Sequence, residues 1–146
     1  MISEIQAATI TAKQHTDDRG TLSYFSEFGI GATKRLYIIE HLNTAVVRAW
    51  QGHKKEQKWF LVISGSFKIV LIKPENLEDP SDDLNFTEIN LSAGNYQVLH
   101  IPGGYINGFK ALEPNSRLMV FSDFSVEESA LDDFRFDKNK WYNWTK

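Results

Sequence analysis

The chain reads Arg48-Ala-Trp-Gln-Gly-His-Lys-Lys-Glu-Gln-Lys-Trp-Phe-Leu-Val-Ile-Ser-Gly-Ser66 in its central part. This stretch places one histidine, three lysines and an arginine between two apolar runs, and it ends in a Ser-Gly turn. Apolar side chains alternate with their neighbours at period two on both sides of that turn. The alternating positions are Phe60, Val62, Phe67, Ile69 and Leu71. Such alternation predicts a β-hairpin with one buried face.

Short apolar runs rich in β-branched and aromatic residues recur along the rest of the chain. They are Leu36 to Ile39, Val46 to Trp50, Trp59 to Ile63, Phe67 to Ile72, Phe86 to Leu91, Tyr96 to Ile101, Phe109 to Leu112 and Leu118 to Phe121. Turn residues separate these eight runs, which is typical of an all-β sandwich or barrel. The polar segment from Lys73 to Asn85 contains two prolines and is predicted to be an exposed loop.

The C-terminal part of the chain has a different character. Residues Glu127 to Phe134 predict a short helix, and Trp141, Tyr142 and Trp144 crowd the last positions. Aromatic residues at a terminus commonly anchor it by packing. The aromatic tail is therefore expected to dock either on the body of the protein or on a partner subunit.

Composition narrows the class of protein. The 146 residues suit one domain, residues 1–146, and 42% of them are hydrophobic, which is enough for a full core. The net charge of −3 argues against nucleic acid as a general partner. The chain has no cysteine, no secretory leader pattern at its start and no apolar run of about 18 residues. These features predict a cytoplasmic protein that does not enter a membrane.

A second motif lies at Gly94 to Phe109, where Pro102-Gly103-Gly104 predicts a tight turn followed by a strand that carries Asn107. Together with residues 48–66 it resembles the cupins, whose fold is a jelly-roll-like double-sheet barrel. In metal-binding cupins four positions of the two motifs hold the metal. The resemblance places Gln51, His53, Lys58 and Asn107 there. Only His53 is a good ligand, and Lys58 brings a cation where a carboxylate is expected, so neither a metal nor another cofactor is expected.

The chain is similar to the metal-independent cupins of the RmlC-like and WxcM-like type, which include dTDP-4-dehydrorhamnose 3,5-epimerases and dTDP-sugar 3,4-ketoisomerases. Beside residues 48–66, the similarity rests on segments in the same order. They are Asp17-Asp18-Arg19-Gly20, Leu91-Ser-Ala93, Ile101-Pro102, Gly108-Phe109, Ser122-Asp123-Phe124 and Arg135-Phe136-Asp137. The resemblance implies a cupin barrel and chemistry on a nucleotide-linked 4-keto-6-deoxyhexose.

The resemblance also implies roles for single residues. Arg19 and Arg48 match arginines that hold the nucleotide in the epimerases. Gln51 stands where those enzymes have their catalytic histidine, and an amide cannot remove a proton from carbon. Phe124 stands where they have a tyrosine acid. Asp137 lies within one residue of the aspartate that partners the base.

The ketoisomerases carry a His-x-His-Lys motif, and its second half survives here as His53-Lys54. On that comparison His53 is the expected base and Lys58 the expected donor to the enolate oxygen. Gln51 and Asn107 are suited to hydrogen-bond sugar hydroxyls.

Epimerisation and keto migration begin with the same proton removal, so the sequence leaves the reaction open. It also leaves open a sugar-nucleotide binding protein without catalysis, and a structural partner of a larger glycan enzyme. A surface-polysaccharide pathway and a homodimer are expected for the isomerase.

Overall fold

The computed structural model describes residues 5–26 and 28–145. Within these residues the chain forms twelve strands and one α-helix, with short 3₁₀ turns at Ile30–Ala32 and Ala93–Asn95. The elements are β1 (Ala8–Thr11), β2 (Lys13–Asp17), β3 (Gly20–Tyr24), β4 (Arg35–His41), β5 (Val47–Gly52), β6 (Lys58–Ser64), β7 (Ser66–Ile72), β8 (Thr87–Ser92), β9 (Gln97–Ile101), β10 (Ile106–Ala111), β11 (Ser116–Ser122), α1 (Val126–Ala130) and β12 (Phe134–Arg135). The predicted all-β cupin fold is confirmed.

Two antiparallel five-stranded sheets face each other. The first sheet has the order β1-β9-β6-β11-β4 and the second β12-β5-β10-β7-β8, while β2 and β3 form a separate hairpin. The eight apolar runs of the sequence correspond to β4 to β11. Strands β1, β2, β3 and β12 were not anticipated, because most of their residues are exposed or half-exposed and lack an apolar alternation.

The main core lies between the two sheets. Strands β6, β9 and β11 supply the buried residues Phe60, Val62, Leu99, Ile101, Leu118 and Val120, and β7, β8 and β10 supply Phe67, Ile69, Leu71, Leu91, Phe109 and Ala111. Gly65 makes the predicted turn between β6 and β7 with a φ of 70°, and a Cβ there would lie 2.1 Å from the Ser116 hydroxyl. Only glycine fits this turn without strain.

A second apolar cluster lies on the outer face of the second sheet, and it includes residues of the aromatic tail. Trp50 and Ile106 of the sheet pack with Tyr142 and Trp144 of the tail, all nearly inaccessible to solvent. The indole N–H of Trp50 donates to the Lys140 carbonyl at 3.0 Å. The tail therefore docks on the body of its own chain.

The C-terminal helix is shorter than expected. Ser125 and Glu128 form a capping box at its start, and α1 ends at Ala130. The expectation of helix up to Phe134 was wrong because that residue pairs with Gly52 and extends the second sheet. Residues Lys73 to Asn85 contain neither strand nor helix, as expected. Among the described residues there is no helix with the length and apolarity that a bilayer span requires.

Replacement of Trp144 by alanine should destabilise the protein, because the side chain is only 6% exposed and its N–H donates to the Lys138 carbonyl. We expect a loss of about 3–5 kcal/mol in the free energy of unfolding, measured by urea denaturation. Leu131→Ala is the control, since Leu131 is 91% exposed. A loss below about 1 kcal/mol for Trp144→Ala would contradict a tail that stabilises the fold.

Candidate functional site

A cavity of about 350 Å³ lies between the two sheets. Four of the residues singled out in the sequence line it: Arg48, Gln51, Lys58 and Asn107. The other lining residues are Tyr37, Ile39, Val47, Ala49, Trp50, Phe60, Phe109, Val120, Arg135 and Phe136. The cavity thus has an apolar floor and a small set of polar groups, as ligand sites commonly do.

The polar groups of the cavity are linked by hydrogen bonds. Lys58, which is 5% exposed, donates from Nζ to the Gln51 Oε1 atom at 3.1 Å. Gln51 in turn donates from Nε2 to an Asp133 carboxylate oxygen at 3.1 Å. Asn107 Nδ2 donates to the Gln51 main-chain carbonyl at 3.3 Å. These contacts hold the Lys58 ammonium and two amides in place before any ligand arrives.

The charged residues that line the cavity all carry positive charge. They are Arg48, Lys58 and Arg135, and within residues 5–26 and 28–145 no aspartate, glutamate or histidine is among the lining residues. Strand β12 places Arg135 directly opposite Gln51 on β5. Arg135 donates to the Asp133 carboxylate at 2.8 Å, which balances part of its charge. The three cations together are still suited to an anionic ligand such as a diphosphate. Arg135 belongs to a segment that carries the family resemblance, but its role became visible only from the strand pairing.

His53 lies just beyond the end of β5 and does not line the cavity. Its side chain is buried, and Nδ1 lies 2.6 Å from the Asp132 carbonyl oxygen. Because a carbonyl can only accept, Nδ1 carries the hydrogen and Nε2 holds the lone pair. Nε2 is buried without a hydrogen-bond partner among the described residues. Burial lowers the pKa of His53 and the charge of Lys58 lowers it further, so the ring is neutral at pH 7.

Two carboxylates hold the loop between β5 and β6: Asp123 accepts the main-chain N–H of Gln57 at 2.8 Å, and Asp132 holds the three residues before it. Asp132 accepts the main-chain N–H of Lys54 at 2.8 Å and those of Lys55 and Glu56 at 2.9 Å each. Burial alone raises the pKa of Asp132, but these three hydrogen bonds outweigh it and the pKa lies below its ordinary value. On the other side of the loop, Gly104 N–H donates to the His53 carbonyl at 2.7 Å.

Glu56, Arg35 and Tyr37 were missed by the sequence reasoning. Glu56 is fully buried, and its Oε2 accepts from Arg35 at 3.3 Å and lies 4.0 Å from Lys58 Nζ. Tyr37 lines the cavity with the Lys58 ammonium 6.0 Å from its ring centre. A signal for Glu56 existed, since it lies two residues before the position where metal-binding cupins have a carboxylate. Arg35 and Tyr37 come from β4, which carries no motif.

Besides His53, three residues singled out in the sequence lie away from the cavity lining. Arg19 is in the turn between β2 and β3 and pairs with Asp17 at 2.8 Å. Phe124 is half-buried, and its main-chain N–H donates to the Ser122 hydroxyl. Asp137 is exposed and accepts the main-chain N–H of Asn139. The ligand roles of these residues stay predictions.

The residues that the structure describes do not form a metal site of the cupin type. Within residues 5–26 and 28–145, no group of three or more histidine, aspartate or glutamate side chains is placed to hold a metal ion. At the positions where metal-binding cupins carry ligands, Lys58 donates to Gln51, so the ammonium lies where a metal would have to bind. The residues present therefore do not fit a cupin metal centre.

A family model described as FdtA, WxcM-like, C-terminal matches residues 5–145. The chain therefore belongs to the WxcM-like, C-terminal family, which confirms the resemblance noted in the sequence. No curated protein sequence gives a significant match.

Solved structures share the fold. The dTDP-4-dehydrorhamnose 3,5-epimerase from Bacillus anthracis strain Ames, with TDP and PPi bound, has a TM-score of 0.73 at 20% identity, covering 94% of this chain and 84% of the epimerase. A mutant of the 3,4-ketoisomerase QdtA from Thermoanaerobacterium thermosaccharolyticum, in complex with TDP-4-keto-6-deoxyglucose, has a TM-score of 0.70 at 23% identity, with coverages of 89% and 87%. The WlaRB TDP-quinovose 3,4-ketoisomerase from Campylobacter jejuni has a TM-score of 0.70 at 21% identity, with coverages of 89% and 92%.

Asp132→Asn should destabilise the protein, because asparagine offers one acceptor oxygen where three N–H groups converge. We expect a loss of about 2 kcal/mol in the free energy of unfolding at pH 7. The folded pKa of Asp132 lies below its unfolded value of about 3.9, so this contribution is present above that pH and is lost as the pH falls through the folded pKa.

Urea denaturation of both proteins across the acid range measures the effect. The difference in the free energy of unfolding between wild type and variant should become smaller below about pH 3.9. Asp79→Asn, in the exposed loop, is the control and should change stability by less than about 0.5 kcal/mol. A gap that stays constant down to the lowest pH at which the wild type is folded would contradict a role of the charge.

Proposed function

We propose that this protein is a metal-independent isomerase of a nucleotide-linked 4-keto-6-deoxyhexose, such as dTDP-4-keto-6-deoxyglucose, in surface-polysaccharide sugar biosynthesis. The proposal rests on one observation: Arg48, Gln51, Lys58 and Asn107 line a single cavity between the two sheets of the cupin fold. The chain also belongs to the WxcM-like, C-terminal family. Relatives of the same fold were solved with TDP or TDP-4-keto-6-deoxyglucose bound.

The binding half of the proposal rests on charge and shape. Arg48 and Arg135 are suited to hold a diphosphate, since guanidinium groups bind phosphate oxygens in pairs. Gln51 and Asn107 offer amide groups to sugar hydroxyls, and the apolar floor around Phe60 and Phe109 accommodates the 6-deoxy carbon.

The chemical half requires proton transfer next to a carbonyl. The proposed base is His53, which takes a proton from the carbon beside the keto group through Nε2, the nitrogen with the free lone pair. Because His53 is buried outside the cavity lining, this step requires the ring to move toward the cavity when the substrate binds. The electrons of that C–H bond move onto the carbonyl oxygen, and the Lys58 ammonium stabilises the enolate that forms. Return of a proton to the opposite face of the same carbon restores the C4 ketone and gives an epimer. Keto migration starts at C3: the C3 hydroxyl passes its proton to the C4 oxygen, a proton adds to C4, and the carbonyl is then at C3. Tyr37, which lines the cavity, is suited to deliver that proton where Phe124 cannot.

A sugar-nucleotide binding protein without catalysis is the second candidate. It is favoured by a specific observation, namely that no histidine or carboxylate lines the cavity and that His53 lies outside the lining residues. Such a protein would use the same arginines and amides for recognition alone.

Deuterium exchange separates these two functions. With dTDP-4-keto-6-deoxyglucose in heavy water, the isomerase should wash deuterium into C3 or C5, detected by mass spectrometry. His53→Ala should slow the exchange by about 100-fold or more, the usual contribution of a general base.

Calorimetry with dTDP on the same samples controls for folding and binding. Binding of dTDP without exchange by the wild type would favour the binding protein and refute the isomerase. Full exchange by His53→Ala would refute the assignment of the base but not the isomerase.

We propose further that the protein is a cytoplasmic homodimer. Support comes from the outer face of the first sheet, where Leu36 and Ile38 are 53% and 52% exposed. Strand pairing places Leu61, Met119 and Phe121 beside them on the same face. A broad apolar face of this kind is typical of an interface between subunits.

Ile38→Lys tests the dimer. The substitution places a charge in the middle of the apolar face, so light scattering coupled to size-exclusion chromatography should show half the wild-type mass. Leu131→Lys, at an exposed site away from this face, is the control and should keep the wild-type mass. A dimer that survives Ile38→Lys would exclude this face as the interface.

A further inference from the structure

Glu56 lies in the loop between β5 and β6 and is one of the most completely buried residues of the protein, with 1% exposure. Its main-chain N–H donates to Asp132 at 2.9 Å, so its backbone is held by the same carboxylate that holds Lys54 and Lys55. A buried carboxylate is expensive unless charges and donors surround it. The groups around Glu56 therefore indicate what it does.

The two oxygens of Glu56 have different surroundings. Oε2 accepts the Ser122 hydroxyl at 2.7 Å and Arg35 at 3.3 Å, and it lies 4.0 Å from Lys58 Nζ. Oε1 lies 3.5 Å from His53 Nδ1 and has no hydrogen-bond partner among the described residues. The carboxylate thus lies between His53, which takes up the proton in the proposed reaction, and Lys58, which stabilises the enolate.

The two oxygens of Glu56 face the two side chains of the proposed reaction, with Oε2 on the side of Lys58 and Oε1 on the side of His53. Oε1 lies 3.5 Å from Nδ1 of His53, and the hydrogen on Nδ1 is donated to the Asp132 carbonyl at 2.6 Å. When Nε2 takes up a proton the ring becomes a cation, and the nearest carboxylate charge in this dry environment is that of Glu56.

We propose that Glu56 is the positioning residue of this site: its carboxylate holds the Lys58 ammonium at the cavity and supplies the negative charge that stabilises His53 when Nε2 is protonated. This role rests on the proposed isomerase function. Glu56 does not line the cavity, so it acts through His53 and Lys58 and does not touch the substrate.

The electrostatics around His53 agree with this role. Burial is the largest influence and lowers the pKa of His53, and the Lys58 charge lowers it as well. Glu56 opposes them and raises the pKa, followed by Asp132 through its carbonyl and its charge. Asp133 also interacts with His53 by charge. Removal of the Glu56 charge should therefore shift the titration of His53 to lower pH.

The test is Glu56→Gln, which keeps the shape of the side chain and removes its charge. Nuclear magnetic resonance of the histidine rings should show the midpoint of the His53 titration at a lower pH than in the wild type. Deuterium exchange should slow by about 100-fold, with its rise against pH displaced in the same direction. Calorimetry should give a dTDP affinity within about threefold of wild type, because Arg48 and Arg135 are untouched.

Glu113→Gln is the matched control. Glu113 also accepts a serine hydroxyl, that of Ser66 at 2.7 Å, but it lies far from His53 in the loop before β11. The His53 midpoint and the exchange rate should stay at their wild-type values in this variant. If Glu56→Gln does not fold, Glu56→Asp is used in its place. This variant keeps the charge but moves it one methylene away from His53 and Lys58. It should slow deuterium exchange and still bind dTDP.

An unchanged His53 midpoint in folded Glu56→Gln would overturn the proposal whatever the enzyme assay shows. Unchanged exchange and midpoint in Glu56→Asp would overturn it where only that variant folds. Absence of exchange in the wild type would instead refute the isomerase function, and the ring titration would still measure the link between Glu56 and His53.

Discussion

The site depends on the hydrogen bonds between Asp132 and the loop that joins β5 to β6. One carboxylate takes up three main-chain N–H groups, and the carbonyl of the same residue fixes the ring of His53. Without the Asp132 carboxylate, three buried or half-buried main-chain N–H groups would lack partners, and the free energy of unfolding would fall. The loop that carries His53 and Glu56 therefore depends strongly on the C-terminal segment, beside its contacts with Gly104 and Asp123.

The same C-terminal segment completes the cavity. After α1 the chain returns as β12, whose pairing with β5 brings Arg135 and Phe136 to the cavity wall. The tail then packs Tyr142 and Trp144 against the outer face of the second sheet. Apolar burial of the tail thus supports the strand that supplies a cation to the site.

Charge in the site is arranged in two layers. Three cations line the cavity, and the buried carboxylate of Glu56 lies behind them between Arg35, Lys58 and His53. Glu56 and Asp133, which pairs with Arg135 at 2.8 Å, balance part of this positive charge, and the remaining excess of cations is suited to a diphosphate. The neutral His53 fits this arrangement, because burial and the nearby Lys58 ammonium both disfavour its charged form.

Much of the fold could be read from alternation along the chain. Strands β4 to β11 carry apolar runs and were found, whereas β1 to β3 and β12 are held by pairing with neighbours and carry no such run. Of the site, Arg48, Gln51, Lys58 and Asn107 were identified because they occupy motif positions on single strands. Tyr37, Arg35 and Asp132 were not, because their roles come from contacts with residues distant in the sequence.

Strand periodicity in the sequence by itself determined an all-β sandwich or barrel, because alternation is a local property. The resemblance of its two motifs to the cupins added the particular barrel and showed that the usual metal ligands and base are replaced. Only the tertiary structure decided that His53 turns toward Asp132 and Glu56 while Lys58 faces the cavity. The direction of a side chain at the end of a strand is set by hydrogen bonds to the segment that packs against it, and that segment lies 79 residues away in the chain.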